Sequence, residues 1–205
     1  MKNELKICIV DYGIGNIKAF KNIYDKLNIN VEIASKKEHF VNATHLILPG
    51  VGTFDWAMSK LNESGLRETL DGLVLEKKIP ILGICVGMQI MASQSEEGVL
   101  SGLNWIEGKI LKLDKDIILP HMGWNNVKLS NKSDLFNNIE NFEFYFLHSY
   151  YYKTEDDKHI LSMSKYGNSF TSAIYKENIF GTQFHPEKSH KNGIKILENF
   201  LKIKC

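Results

Sequence analysis

Ile79-Pro80-Ile81-Leu82-Gly83-Ile84-Cys85-Val86-Gly87-Met88-Gln89-Ile90-Met91-Ala92 passes from an apolar run through two glycines into a helix-like segment. Strand, tight turn and helix in that order form a nucleophile elbow. Glycines at 83 and 87 let the backbone turn sharply, so the side chain between them projects outward. That side chain is the thiol of Cys85. At a helix N-terminus a cysteine feels the positive end of the helix dipole, which favours the reactive thiolate. The segment predicts covalent catalysis by Cys85. The competing role is that of a small buried hydrophobe, the usual fate of a cysteine in an apolar stretch.

What separates the two roles lies far downstream, in Gln183-Phe184-His185-Pro186-Glu187-Lys188. A nucleophilic thiol needs a base, and the base needs an orienting partner. His185 and Glu187 are two apart, so in an extended segment they share one face. The carboxylate then fixes the imidazole tautomer and stabilises its charged form.

Outward from the elbow, the first half alternates strand and helix patterns. Strands are expected at Lys6–Val10, Val31–Ala34 and His45–Leu48, besides the one leading to Cys85. Ile17, Phe20, Tyr24 and Leu27 recur at helical spacing, as do Phe54, Met58 and Leu61, then Leu66, Leu70, Leu73 and Leu75. This alternation implies a parallel sheet covered by helices. The second half is richer in strands, at Lys109–Leu113, Phe142–Leu147, His159–Met163, Thr171–Tyr175 and Ile179–Phe184, before a last helix over Gly193–Ile203. No linker divides the halves, so one α/β domain over 1–205 with a mixed, mostly parallel sheet is expected. Ligand sites in such sheets lie at the carboxyl ends of strands. Pro49-Gly50-Val51-Gly52, Cys85 and His185 all follow strands and should meet there. The turn Gly13-Ile14-Gly15 is no dinucleotide fingerprint, because Lys18 stands where the third glycine belongs.

The 205 residues suffice for one sizeable core, and 43% hydrophobic with 24% charged residues is ordinary for a globular protein. A formal net charge of +1 gives no reason to expect nucleic acid or membrane as partner. Three widely spaced cysteines, Cys8, Cys85 and Cys205, are neither a disulfide framework nor a metal pattern. Cys8 belongs to a core strand, and Cys205 is read as incidental. No metal or cofactor is implied. A free reactive thiol favours a reducing compartment, hence the cytoplasm. No apolar run approaches the ~20 residues of a membrane span, and the N-terminus lacks a secretory pattern.

Taken together, the Cys85 elbow with Gln89 and the His185-Pro186-Glu187 ending resemble the class I (triad) glutamine amidotransferases. The resemblance extends along nearly the whole chain, through Asp11–Asn16, Pro49–Phe54, Ser95–Gly98, Pro120–Asn125, Tyr145–Tyr151 and Gly181–Ser189. It implies a Cys85–His185–Glu187 triad acting on L-glutamine through a glutamyl thioester. It implies an oxyanion hole from the Val86 N–H and an N–H near Val51 or Gly52. Substrate contacts are expected from Gly50, Gln89, Glu97, His148, Ser149 and Tyr150, Gln89 lying about one helical turn beyond the nucleophile.

His121-Met122-Gly123-Trp124-Asn125 resembles the branch of the family that serves histidine biosynthesis. Those proteins dock on a (β/α)₈-barrel synthase subunit, which uses the ammonia to make imidazole glycerol phosphate and aminoimidazole carboxamide ribotide. Asn16, His121, Met122, Gly123 and Trp124 are then the expected interface, with Trp124 suited to a hot spot or, equally, to a core. Two departures stand out. Val86 replaces a usual leucine, and Asn104, Trp105 and Glu107 interrupt a segment that usually carries Gly-Leu-Gly and Pro-Gly. The second departure motivates an alternative, a paralogue supplying ammonia to a sugar amidotransferase of surface-polysaccharide synthesis. A non-catalytic regulatory module and a stand-alone cysteine hydrolase are the readings from other classes.

Overall fold

Near-continuous runs of branched apolar residues become the centre of the sheet, as they must where both faces are covered. A computed structural model describes residues 5–204. Met1–Glu4 and Cys205 lie outside the described residues, and with them the readings of the extreme N-terminus and of Cys205.

The first half runs β1 (Ile7–Val10), α1 (Ile17–Lys26), β2 (Val31–Ala34), β3 (His45–Gly50), α2 (Phe54–Glu63), α3 (Arg67–Asp71), β4 (Ile81–Cys85) and α4 (Val86–Gln89). The second half runs β5 (Gln94–Ser95), β6 (Gly108–Lys112), β7 (His121–Asn126), β8 (Lys128–Leu129), β9 (Glu143–His148), β10 (Tyr150–Thr154), β11 (Ile160–Tyr166), β12 (Asn168–Lys176), β13 (Ile179–Thr182) and α5 (His190–Phe200).

The main sheet has the order β2-β1-β3-β4-β13-β12-β10-β6-β5, with β11 on β12 and β8 on β11. Its first five strands are mutually parallel, and β12 then runs antiparallel to β13. A separate antiparallel ribbon joins β7 to β9. The fold is thus α/β, a mixed and mostly parallel sheet flanked by helices. Strands β1, β3, β4 and β13 are buried at every residue, whereas β9 alternates between half-buried and buried. One contiguous apolar core unites both halves.

The expected elements recur with shifted ends, and two helices differ in substance. The helix over Leu66–Leu75 is a short α3 followed by a π-type turn at Gly72–Glu76, and Leu75 is 43% exposed. The helix after Cys85 is one turn long. Strands β7 and β10 were not expected, because His-Met-Gly-Trp-Asn-Asn and a tyrosine run carry no apolar alternation.

What fixes the end of β3 against α4 is the absence of side chains. A Cβ on Gly87 would lie 1.9 Å from the Leu48 carbonyl oxygen, and one on Gly50 would lie 2.2 Å from the Gly87 nitrogen. Gly72, by contrast, has open space and ordinary helical dihedrals of −63° and −39°. Gly87→Ala should therefore cost at least about 2 kcal/mol, because backbone must separate from backbone. Gly72→Ala should be neutral or stabilising by up to about 1 kcal/mol. Denaturant midpoints of the two variants check both values.

Candidate active site

Cys85 ends β4 with φ 55° and ψ −115°, a left-handed conformation for a residue that has a Cβ. Such a backbone costs about 1–3 kcal/mol and persists only where its surroundings over-determine it. Here they do. Gly50 of β3 pairs opposite Cys85, and Ile84 is held between Pro49 and Thr182. The turn aims Sγ at the β9 end, 3.8 Å from the Leu147 carbonyl, to which the thiol donates. Gln183 Nε2 stands 3.7 Å from the sulfur on the other side.

His185 follows β13, the strand beside β4, so the parallel register brings base and nucleophile to one edge. Its Nδ1 lies 2.8 Å from Glu187 Oε1, with both side chains nearly buried. The reason differs from the extended segment expected. Pro186–Lys188 is a 3₁₀ turn, and the turn folds Glu187 back onto the imidazole. Ser189 clamps the turn: its hydroxyl donates to the His185 carbonyl and accepts from the Tyr145 N–H. His185 Nε2 is buried and makes no hydrogen bond within the protein. Burial works against the imidazolium, but the Cys85 sulfur and the Glu187 carboxylate outweigh it and raise the His185 pKa to about 10. That direction favours the imidazolium, a form able to give a proton to a leaving group.

A cavity of about 310 Å³ opens onto Cys85 and His185. Val51, Gly52, Val86, Gln89, Glu97, His148, Ser149 and Tyr150 line it, as do Pro120, Leu147 and Lys188, which sequence reasoning did not select. Gly50 is absent from the wall and stands instead behind Cys85 in the ladder. Val86 is the first residue of α4, so helical geometry leaves its N–H without an intrahelical acceptor. Glu97 has a second task, accepting from the Phe54 N–H at the start of α2. Burial raises its pKa, while that hydrogen bond lowers it and Asp55 raises it further. Gln183 was also missed, although it stands in the quoted Gln-Phe-His string; nothing in a lone glutamine marks it.

None of the expected interface residues lines the cavity. Met122 and Trp124 are 65% and 43% exposed, while His121 on the opposite face of β7 is buried. Trp124 is therefore no core residue; it stacks on His190 with ring centroids 5.0 Å apart. Gly123 is half-buried and Asn16 exposed beside the Gly15 turn. His121 belongs to a buried pair: its Nδ1 lies 2.9 Å from His148 Nε2. Tyr12, in the first loop, donates its hydroxyl to the Pro49 carbonyl at 2.8 Å and steadies the Pro49–Gly52 loop.

Two of the departures at 104–107 have local reasons, and nothing in the structure explains Glu107. Asn104 adopts φ 55°, where glycine is usual and asparagine is tolerated. Trp105 is 1% exposed, and its indole N–H donates to Asp71 Oδ1 at 2.7 Å. Trp105 is packed in the core, Asn104 is exposed and accepts from the Ser93 hydroxyl, and neither lines the cavity. Cys8 is a core residue whose thiol pKa burial pushes up to about 11. Among the described residues no cluster of three or more His, Cys, Asp or Glu is arranged to hold a metal, and no helix is long and apolar enough to cross a membrane.

A thiol on an elbow, an imidazole with a carboxylate behind it, and a small cavity above both form an arrangement able to support acyl transfer. The family pattern described as Glutamine amidotransferase class-I matches residues 8–203, and the chain belongs to that family. It is similar to the imidazole glycerol phosphate synthase subunit HisH of Leptospira interrogans, with 50% identity over 96% of this chain and 100% of that one. Its identity to the imidazole glycerol phosphate synthase subunit HisH 2 of Methanococcus maripaludis is 51%, over 96% of this chain and 98% of that one. A solved glutamine amidotransferase structure has the same fold at TM-score 0.74 and 17% identity, covering 96% of this chain and 97% of that one.

Burial pushes the pKa of His148 down to about 3, opposed by its hydrogen bond to the Tyr150 carbonyl. A depressed histidine stabilises the fold above its unfolded pKa of ~6.5 and loses that contribution as pH falls toward the folded value. At pH 5 the loss amounts to about 2 kcal/mol relative to neutral pH. Urea unfolding should accordingly find His148→Asn closer to wild type at pH 5 than at pH 7 by about that amount.

Proposed function

We propose that this chain is the glutaminase subunit of an imidazole glycerol phosphate synthase, hydrolysing L-glutamine and handing ammonia to a barrel-type synthase subunit in histidine biosynthesis. The observation that carries the reading is Cys85 and His185 on one cavity of about 310 Å³, with Glu187 bonded behind the imidazole, in a class-I glutamine amidotransferase. The roughly 50% identity to HisH subunits over their full length supports the pathway.

In this reading Cys85 Sγ attacks the carboxamide carbon of glutamine and forms the C–S bond. The oxyanion meets the Val86 N–H and an N–H near Val51 or Gly52. His185 gives its proton to the departing nitrogen as the C–N bond breaks, releasing ammonia and leaving the thioester. A water then attacks, His185 takes its proton, the C–S bond breaks and glutamate leaves. Glu187 keeps the proton on Nδ1, so Nε2 faces the reaction in both halves. Both N–H groups of Gln89 are engaged, by the Tyr150 carbonyl and Gln183 Oε1, so its own carbonyl oxygen is free to accept from the substrate's nitrogen. Glu97 adds a second acceptor on the same wall.

Ammonia must leave without reaching water, which requires a partner seated over the cavity. Exposed Met122 and Trp124 on β7, with Val51 at the loop and Asn16 beside it, give the rim an apolar surface where that barrel subunit docks. The departures at 104–107 motivated the sugar-amidination alternative; against it stands the likeness to HisH subunits along the whole chain. A regulatory module would have no use for a complete nucleophile, base and carboxylate.

The test is glutamate release by this chain mixed with its host's barrel-type subunit, with and without the phosphoribulosyl intermediate. Stimulation by both is expected, with low activity of the chain alone. Cys85→Ala should reduce turnover at least about a thousandfold and Glu187→Gln at least about tenfold. Normal hydrolysis by Cys85→Ala would remove the nucleophile from this scheme. Stimulation by the barrel protein with no response to the intermediate would remove the histidine pathway.

A further inference from the structure

The Cys85 sulfur is touched by a residue outside the triad, and the polarity of that contact is dictated by groups that cannot be reversed. The Tyr150 carbonyl oxygen can only accept. Gln89 Nε2 lies 3.0 Å from it, so the nitrogen side of that amide faces Tyr150. The other N–H of Gln89 reaches Gln183 Oε1, also at 3.0 Å. Turning the Gln183 amide over would set one NH₂ against another in a dry interior, at a cost of about 1–3 kcal/mol for each unmade bond. Gln183 therefore presents its oxygen to Gln89 and its nitrogen to Cys85 Sγ, 3.7 Å away. Its side chain is fully buried, and its backbone N–H is held by the Ser172 carbonyl at 2.9 Å.

The Tyr150 carbonyl is itself pinned from the far side. His148 Nδ1 donates to it at 2.8 Å. Asn125 Nδ2 donates to the Lys165 carbonyl and to His121 Nε2, so His121 must donate from Nδ1 to His148 Nε2. Two carbonyls, that of Lys165 at one end and that of Tyr150 in the middle, thus give every member of the chain from Asn125 to Gln183 one consistent orientation.

We propose that Gln183 is a further catalytic residue, donating an N–H to the Cys85 sulfur and stabilising it as the thiolate. The inference rests on Cys85 being the glutaminase nucleophile. The sulfur has an acceptor on one side, the Leu147 carbonyl, and a donor on the other. As a thiol it donates to Leu147; as a thiolate it gains only from the donor. When the C–S bond of the thioester breaks, the electron pair returns to sulfur, where the Gln183 N–H meets it. A neutral amide supplies this without placing a second cation beside His185.

Gln183→Glu keeps the shape and replaces the donor by an acceptor, and Gln183→Met removes both polar atoms. The other titratable groups facing the sulfur, Tyr12, His148 and His185, and Glu97 and Lys188 across the cavity, are unchanged in either variant. The rate of carbamidomethylation of Cys85 by iodoacetamide is followed against pH on the full chain. Glutamine kcat and KM are measured with the barrel-type subunit present. The midpoint of alkylation should rise by at least about one pH unit in both variants, a tenfold change in the thiol equilibrium. Turnover kcat should fall at least about tenfold with KM changed less than about threefold. A merely structural role would lower the melting temperature and leave the midpoint in place, and that result overturns the proposal. Should Gln183→Glu fail to fold, Gln183→Met decides alone. A shifted midpoint in a protein whose wild type does not hydrolyse glutamine would overturn the glutaminase reading and leave the Gln183–Cys85 contact standing.

Discussion

The close approach of β3 to the turn after β4 is the constraint on which the rest of the molecule depends. Gly50 and Gly87 bring backbone against backbone, and that contact holds Cys85 in a conformation with φ of 55°. The strain is about 1–3 kcal/mol, small beside what the buried parallel strands around it contribute. In exchange the thiol leaves the core and faces a cavity, while the first N–H groups of α4 remain unsatisfied beside it. A longer side chain at either glycine would relax the turn and lose both features together.

Parallel register then does for the base what the elbow does for the nucleophile. Strand β13 lies beside β4 with Thr182 opposite Ile84, so the residues that follow it emerge level with Cys85. Ser189 ties the His185 turn to β9, and β9 carries Leu147 and His148 into the cavity wall. The antiparallel half of the fold supplies the remaining wall. Its ribbon of β7 and β9 has a buried face with the His121–His148 pair and an exposed face with Met122 and Trp124. Period-two alternation alone separates the residue that supports the site from the residue that can meet a partner.

Two kinds of polar contact share the site. One is charged: the imidazolium of His185 between a carboxylate and the sulfur. The other is neutral: a run of amides and imidazoles whose orientations follow from two carbonyls. Burial drives His121 and His148 toward their neutral forms, so the second network carries no charge that would compete with the first. Low dielectric strengthens both, and makes each unmade bond expensive.

The elbow, the βαβ alternation and the pairing of His185 with Glu187 were legible in the chain because each follows from short-range geometry: a turn between glycines, apolar runs of strand length, two side chains two positions apart, although the expected extended segment is a 3₁₀ turn. Nothing local marked β7 and β10 as strands, since their pairing partners and not their composition make them so. Trp124 could have been core or surface, and only the register of β7 against β9 placed it outside. Asn104 and Trp105 read as departures until φ at 104 and the Asp71 contact gave them local tasks. Gln183 was invisible for the same reason. Its partners lie 94 and 98 positions away along the chain, and a glutamine acquires a direction only when both ends of its amide meet groups that distant strands bring to it. The amino-acid sequence by itself determined which residues could react; the tertiary structure decided which of their neighbours would hold them, because hydrogen-bond polarity is a property of the assembled network and not of any residue in it.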